Sequence, residues 1–392
     1  MTEYKRIFLR PGKEKPVLHR HPWIFSGAVA RLDDGTADGD IVSVRDSKGA
    51  HLGYGYFNGR SQIIVRMLSF GERTVNNDLI KDLLLSAIEK RKRSGVPART
   101  NAYRAVFSEG DFLPGLIADR YDDHLVVQIL TLGIERMRDT IIDLLQEVFG
   151  PRSIYERSDH AGRSIEGLAE RSGQIIGTTP EEIVIVENGL RFIVDVRRGQ
   201  KTGFFIDQRD NRALVAGISR DRSVLNLFSY TGGFSVAALA GGAFEAVSVD
   251  VSEPAVRMAE RNAGLNALAD RSRGVTADAF EYLRGADISS DLIIIDPPAF
   301  ARNRESVAAA CRGYKELNLQ AIKKCRPGTL ILTCSCSRFI GMDLFQKIVF
   351  GAASDAGRSV SILNTGHHPA DHPVSLYCPE TAYLKSLLLC VD

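Results

Sequence analysis

Apolar and polar positions change period twice along this chain. Up to about residue 73 they alternate in short stretches, Ile41–Arg45, Leu52–Phe57 and Gln62–Leu68. Turn clusters such as Asp33-Asp34-Gly35 and Asn58-Gly59 separate them, which predicts a small β-rich module. From Asn77 the period becomes helical. Apolar residues recur at 79/80, 83/84 and 87/88 behind a cap at Asn77 or Asp78, and Lys90–Arg93 with Gly95 and Pro97 end the run. Hairpin-like strands at Ala105–Phe107 and Leu125–Leu130 then flank a turn-rich loop, Ser108–Gly115. A second helix is predicted from Ile134 to Phe149, stopped by Gly150-Pro151.

From about Leu190 strands and helices alternate. Strands are expected at Ser223–Phe228, Ala246–Asp250, Arg273–Ala277, Asp291–Ile295 and Thr329–Thr333, with helices near 233–240, 253–266, 305–325 and 342–355. Apolar strands interleaved with helices predict a parallel sheet covered on both faces. The last strand, Tyr383–Val391, follows a loop and is expected to enter antiparallel at an edge. The fold class is thus α/β, with a β-rich module at 1–73, an α+β module at 74–189 and the alternating domain at 190–392.

Composition narrows the function classes. The chain has 392 residues, 44% hydrophobic and 25% charged, which suits a globular protein with buried cores. Lys plus Arg number 50 against 48 Asp plus Glu, so a wholly basic nucleic-acid binder is excluded and polyanion contacts must be local. One such patch is residues 1–31, with seven Lys/Arg, among them Arg6, Arg10, Lys13 and Arg20, against two Glu. His19, His21 and the sole Trp, Trp23, lie among them. That composition suits RNA phosphates and exposed bases, or else a solvated arm with Trp23 packed in a core. The N-terminus lacks an apolar signal core, and no run nears the roughly 18 apolar residues of a membrane span. All six cysteines fall in the last 82 residues, unlike a disulfide framework, and a cytoplasmic location with reduced thiols is expected. No metal-ligand set is read: Cys334 and Cys336 lack a second cysteine pair, and His367, His368 and His372 read as a satisfied loop.

The chemistry concentrates where strands of the alternating domain end. The first runs into Asn226-Leu-Phe-Ser-Tyr-Thr-Gly-Gly-Phe234, placing Gly232 and Gly233 where backbone must approach a ligand. The second ends at Asp250, positioned to accept from ribose hydroxyls, and the third at Asp278. The absence of G-x-G-x-x-G disfavours a dinucleotide and favours S-adenosylmethionine, which has ribose but no phosphate. The fourth strand ends in Asp296-Pro297-Pro298, a form related to tetrapeptides of amine N-methyltransferases, and the fifth in Thr333-Cys334-Ser335-Cys336-Ser337. Carbon 5 of cytosine is too weak a nucleophile to attack a methyl sulfonium until a thiolate adds at carbon 6, so a cysteine beside Asp296 fits that reaction. Strand alternation sends both cysteines to one face and does not choose between them. Upstream, Arg197–Arg212 is basic, and its Lys201 and neighbours could face a phosphate while Phe204-Phe205 line a pocket.

Taken in order, GQKTGFFIDQRDNR, NLFSYTGGF, Asp250, Asp278, DPPAF and TCSCS resemble the bacterial and archaeal large-subunit ribosomal RNA cytosine-C5 methyltransferases. SEGDFLPGLIADRYDDHLVVQ is similar to that family's central-domain signature, and residues 1–73 to its PUA module. The resemblance implies a PUA domain, a central α+β domain and a class I Rossmann-like methyltransferase domain, with ribosomal RNA as partner and S-adenosylmethionine as cofactor. By it Cys336 is the nucleophile and Asp296 contacts the cytosine. Asn226, Phe228, Tyr230, Gly232, Asp250, Asp278, Ala279, Asp296 and Gln208 would form the cofactor site. Arg6, Arg10, Lys13, Arg20 and Lys201 would meet RNA, with a second copy of the chain as a further candidate partner. Pro327-Gly328-Thr329 departs from the expected Pro-Gly-Gly at a turn. Methylation of a base nitrogen, which needs no thiol, and a non-catalytic PUA-bearing assembly protein are the competing readings.

Overall fold

Leu292 to Ile295 are each fully buried, as an uninterrupted apolar run demands of a strand covered on both faces. The computed structural model describes residues 4–301 and 303–392. Seven strands form the sheet around that run: β1 (Ser223–Leu227), β2 (Glu245–Asp250), β3 (Ser272–Thr276), β4 (Leu292–Ile295), β5 (Thr329–Ser335), β6 (Val360–Gly366) and β7 (Lys385–Val391). Their order is β3-β2-β1-β4-β5-β7-β6. β1 to β5 are parallel, and the order reverses between β1 and β4, the place where open α/β sheets bind ligands at their carboxyl ends. Helices Gly233–Ala240, Glu253–Leu265, Val307–Lys324 and Met342–Ala356 join the strands.

β7 runs antiparallel, as expected, but not at the edge. It pairs with β5 on one side and β6 on the other, leaving β6 as the outer strand. The apolar run Leu387–Leu389 explains this, since such a run suits a strand covered on both faces.

Contacts divide the described chain into two compact units. One comprises 1–185, 194–206 and 370–381, and the other 186–193, 207–369 and 382–392, which holds the seven-stranded sheet. The first unit carries two further sheets. Lys5–Leu9 lies between Ile41–Arg45 and Val29–Leu32 within a six-stranded sheet, so the basic N-terminal segment is an inner strand and not a solvated arm. Ile7 and Leu9 point into a core with Val42 and Val44, while Lys5 and Arg6 stay exposed. Trp23 is buried and donates Nε1–H to Glu109 at 2.8 Å, so its ring is not presented for base stacking.

The second sheet of this unit has five strands, packed on helices Asn77–Arg93 and Arg138–Phe149. The first helix is capped by Asn76, whose side chain accepts from Leu79 N at 2.9 Å, one residue earlier than expected. The strand Leu116–Tyr121 comes between Ala102–Phe107 and His124–Ile129, so the predicted hairpin is a three-stranded meander. The predicted helix at 134–149 is two, Leu132–Arg136 and Arg138–Phe149, meeting at Met137. Gly150 ends the second in the left-handed region.

Candidate functional site

The loop leaving β1 has an unusual backbone. Phe228, Tyr230 and Gly232 have φ of 58°, 46° and 76°. Two of these are not glycine, and such residues cost on the order of 1–3 kcal/mol each, so something must hold them. Asp250 does much of this. At the end of β2 its Oδ2 accepts from Tyr230 N at 2.8 Å and its Oδ1 from Ser252 N at 2.9 Å. Gly232 is constrained in space as well as in φ. A Cβ there would lie 2.6 Å from Ala259 Cβ, so the loop presses its backbone on helix Glu253–Leu265. Asn226 lies beneath the loop, fully buried, donating to Ser235 Oγ at 2.9 Å, and Ser235 Oγ in turn meets Ser248 Oγ.

Asp278 follows β3 and caps helix Ala279–Gly285, accepting from Phe280 N and Glu281 N at 2.9 and 3.0 Å. Its carboxylate is exposed and Ala279 is buried behind it. Phe228 meets Phe280 edge-on at 6.3 Å, and Phe280 lies 6.2 Å from Phe300 of the Asp-Pro-Pro loop. Thus the ends of β1, β3 and β4 share an aromatic wall. A ribose-bearing ligand with an aromatic base fits these features: a loop with no room for a Cβ at Gly232, a carboxylate at Asp250 and an apolar wall beyond.

At the end of β4, Asp296 Oδ1 accepts from Gln208 Nε2 at 2.8 Å. Gln208 Oε1 accepts from Asn211 Nδ2 at 2.6 Å, and Asn211 Oδ1 accepts from Ser386 Oγ at 2.9 Å. Three side chains from two distant segments therefore fix the direction of one carboxylate. Asn211 and Ser386 were not anticipated from the sequence. Asn211 falls within GQKTGFFIDQRDNR without being singled out, and Ser386 reaches this position only through the sheet topology.

The two cysteines part company here. β5 ends at Ser335, so strand alternation does not carry through to Cys336. Cys334 is fully buried, and burial, with Asp296 nearby, pushes its thiol well above the usual range despite a hydrogen bond from Gln208. Cys336 is half-buried past the strand end, its sulfur directed at Pro297 O at 4.0 Å. The Cys336 thiol therefore borders the Asp-Pro-Pro loop.

Other expected contacts resolve differently. Arg209 and Arg212 do not face solvent: both are buried on Glu187, with Arg212 held bidentately at 2.6 and 2.7 Å. Lys201 is exposed, its ammonium 4.3 Å above the Phe205 ring, while Phe204 is buried. Arg6 pairs with Asp33 at 2.8 Å, Arg10 donates to Val29 O, and Lys13 and Arg20 are exposed. His368 Nε2 accepts from the amides of Tyr383 and Leu384, and His372 is buried against Phe107. A different group, His21, Cys378 and Glu380, places ligand-type atoms within 4.8 Å of one another. There His21 Nδ1 accepts from Trp23 N, which leaves the proton of a neutral ring on the Nε2 that faces Glu380.

Comparison with known proteins agrees with this geometry. Residues 169–389 match the S-adenosylmethionine-dependent methyltransferase family, and residues 7–70 match a PUA-like domain. A ribosomal RNA large subunit methyltransferase I from Tolumonas auensis is 44% identical, over 98% of both chains. One from Aeromonas salmonicida is 45% identical with the same coverage. A crystal structure of a methyltransferase complexed with SAH superposes with a TM-score of 0.86 at 26% identity, covering 98% of this chain and 99% of that one. A SAM-dependent methyltransferase from Streptococcus mutans gives 0.85 at 25%, with the same coverage. A PUA-like sheet, a class I sheet order and relatives matched from end to end make this chain a member of the S-adenosylmethionine-dependent methyltransferase family, within the group of the ribosomal RNA large subunit methyltransferases I.

Proposed function

We propose that this enzyme methylates carbon 5 of a cytosine in large-subunit ribosomal RNA, with Cys336 as the nucleophile. The observation that carries the reading is the contrast between the thiols: Cys334 is sealed and held neutral, and Cys336 is accessible beside Asp-Pro-Pro. The relatives' name supports the substrate class. Three parts, 1–73, 74–189 and 190–392, divide the labour as RNA module, central module and methyltransferase.

S-adenosylmethionine supplies a methyl group on a positive sulfur. Asp250 accepts from its ribose hydroxyls, Asp278 and the adjoining Ala279 backbone receive the adenine, and Gly232 lets the loop lie close. Phe228 and Tyr230 shape that loop, and Asn226 supports it from below. Asp296, aimed by Gln208, accepts from the exocyclic amino group of the cytosine. The Cys336 sulfur adds to carbon 6, pushing an electron pair through the ring so that carbon 5 takes the methyl. A base then takes the carbon-5 proton, the freed pair re-forms the bond between carbons 5 and 6, and the carbon–sulfur bond breaks to release the thiolate. Exposed Arg10, Lys13, Arg20 and Lys201, with the partly paired Arg6, bind phosphates.

RNA carrying 5-fluorocytosine at the target cannot lose a proton from carbon 5, so the adduct persists. Wild type and Cys334→Ala should form a stable protein–RNA complex, and Cys336→Ala should not. A trapped complex with Cys336→Ala reassigns the nucleophile. Turnover by the double cysteine variant replaces carbon-5 chemistry by methylation of a nitrogen.

A further inference from the structure

Lys385, the first residue of β7, is 5% exposed, and among the described residues no other lysine is buried. Its Nζ donates to Ser337 O at 2.6 Å and Tyr383 O at 2.8 Å. Tyr383 is itself fixed, its hydroxyl donating to Asp207 Oδ2 at 2.6 Å and its amide to His368. Register sets Lys385 opposite Ser335, so the lysine is tied to the residues on both sides of Cys336. Among the described residues no carboxylate lies within ion-pair distance of it. A buried ammonium without an anion is costly, and two carbonyls offset only part of that cost.

One group is placed to supply the missing charge. Burial lowers the Lys385 amine to about 8, with a charged Cys336 acting against that shift. Among the described residues, two neighbours of this strand end are kept uncharged. Tyr314, on helix Val307–Lys324, is pushed up by burial and bonds to Ser337 Oγ at 3.0 Å. Cys334 is held neutral.

Building on the reading of Cys336 as nucleophile, we propose that Lys385 is a positioning residue that supplies the counter-charge of the Cys336 thiolate. The thiol proton resides on Nζ, giving a thiolate–ammonium pair. The sulfur adds at carbon 6 and is expelled at the end, so the pair is regenerated and no other reactant is needed. An ammonium beside a thiol favours the thiolate in just this way.

The test is alkylation of the full chain by iodoacetamide across a pH series, following the Cys336 peptide by mass spectrometry. In Lys385→Met the midpoint for Cys336 should rise by about one unit or more, or about tenfold slower labelling at neutral pH. Lys385→Arg should restore much of it. Calorimetric S-adenosylmethionine binding shows that each variant is folded. An unmoved midpoint in a folded Lys385→Met protein overturns the proposal. Coupling is reciprocal, so a second measurement leaves the lysine in place. In Cys336→Ser, acetylation of Lys385 by acetic anhydride should show a lower amine midpoint, and an unchanged one also overturns it. The 5-fluorocytosine trap separates the two readings. An adduct through another residue overturns Cys336 as nucleophile, whereas a normal Cys336 adduct with an unmoved alkylation profile overturns only the role of Lys385.

Discussion

Replacing Gly232 by Ala tests the cofactor loop at its tightest point. Two penalties are expected. A left-handed φ of 76° costs a residue with a Cβ about 1–2 kcal/mol. The new methyl, 2.6 Å from Ala259 Cβ and 3.0 Å from Ala259 Cα, adds about 1–3 kcal/mol of overpacking. Gly232→Ala should therefore destabilise the sheet-bearing unit by about 2–5 kcal/mol and weaken S-adenosylmethionine binding. Ala259→Gly alone should cost about 1–2 kcal/mol, from glycine within helix Glu253–Leu265 and a missing buried methyl. In the double variant the methyl is supplied from the other side, leaving the φ cost and the helix glycine, about 2–3 kcal/mol. The cycle thus predicts a favourable coupling of about 1–4 kcal/mol. Calorimetric unfolding with cofactor titration reads it. Tryptophan emission does not, because Trp23 belongs to the other unit. Strict additivity would show that the loop and helix do not press together, and a Gly232→Ala protein of normal stability and affinity would refute the account of the loop.

Asp250→Ala should weaken S-adenosylmethionine binding by about 10- to 200-fold, because it removes charged acceptors and frees Tyr230 N; calorimetry checks this. Arg212→Ala leaves Glu187 buried with Arg209 Nε 3.5 Å away, and should lower stability by about 3–5 kcal/mol in a denaturation series. Buried Asp111 is pushed up by burial but held lower overall by Arg91 and Lys90. Its stabilisation is complete above the unfolded carboxylate pKa and is lost as pH falls through the lower folded value. Acid unfolding of Arg91→Leu should therefore set in at higher pH than in wild type. Charge reversal at Arg10 and Lys13 should reduce the salt slope of RNA affinity by about one for each phosphate no longer neutralised, and an unchanged slope removes them from the interface.

Most of the seven-stranded sheet was legible because its strands are buried on both faces and end in chemistry-bearing loops. Asp250, Asp278, Asp296 and the cysteine pair fall at strand ends where the pattern put them. The choice between the cysteines was not legible locally. It depends on where β5 stops and on what β7 brings beside it. The support of Asp296 was hidden for a similar reason, since Ser386 and Asn211 are 175 residues apart in sequence. Lys385 did leave a trace, as a charged residue opening an apolar strand, but its meaning required knowing which strand lay opposite. The N-terminal patch misled because exposed Arg6 and half-buried Phe8 alternate with core residues Ile7 and Leu9, so a strand with one wetter face resembled a basic arm.

The position of β7 between β5 and β6 has a consequence for synthesis. In sequence β5 and β6 both precede residues 385–391, and without that segment the two have a gap between them where an inner strand belongs. Their facing edges are then unpaired, a state that invites chaperones or wrong pairings. The same late segment carries Lys385 to Ser337 and Ser386 to Asn211. On the role proposed for Lys385, a chain lacking residues 385–391 keeps the residues of its cofactor loop but not the counter-charge of its thiol.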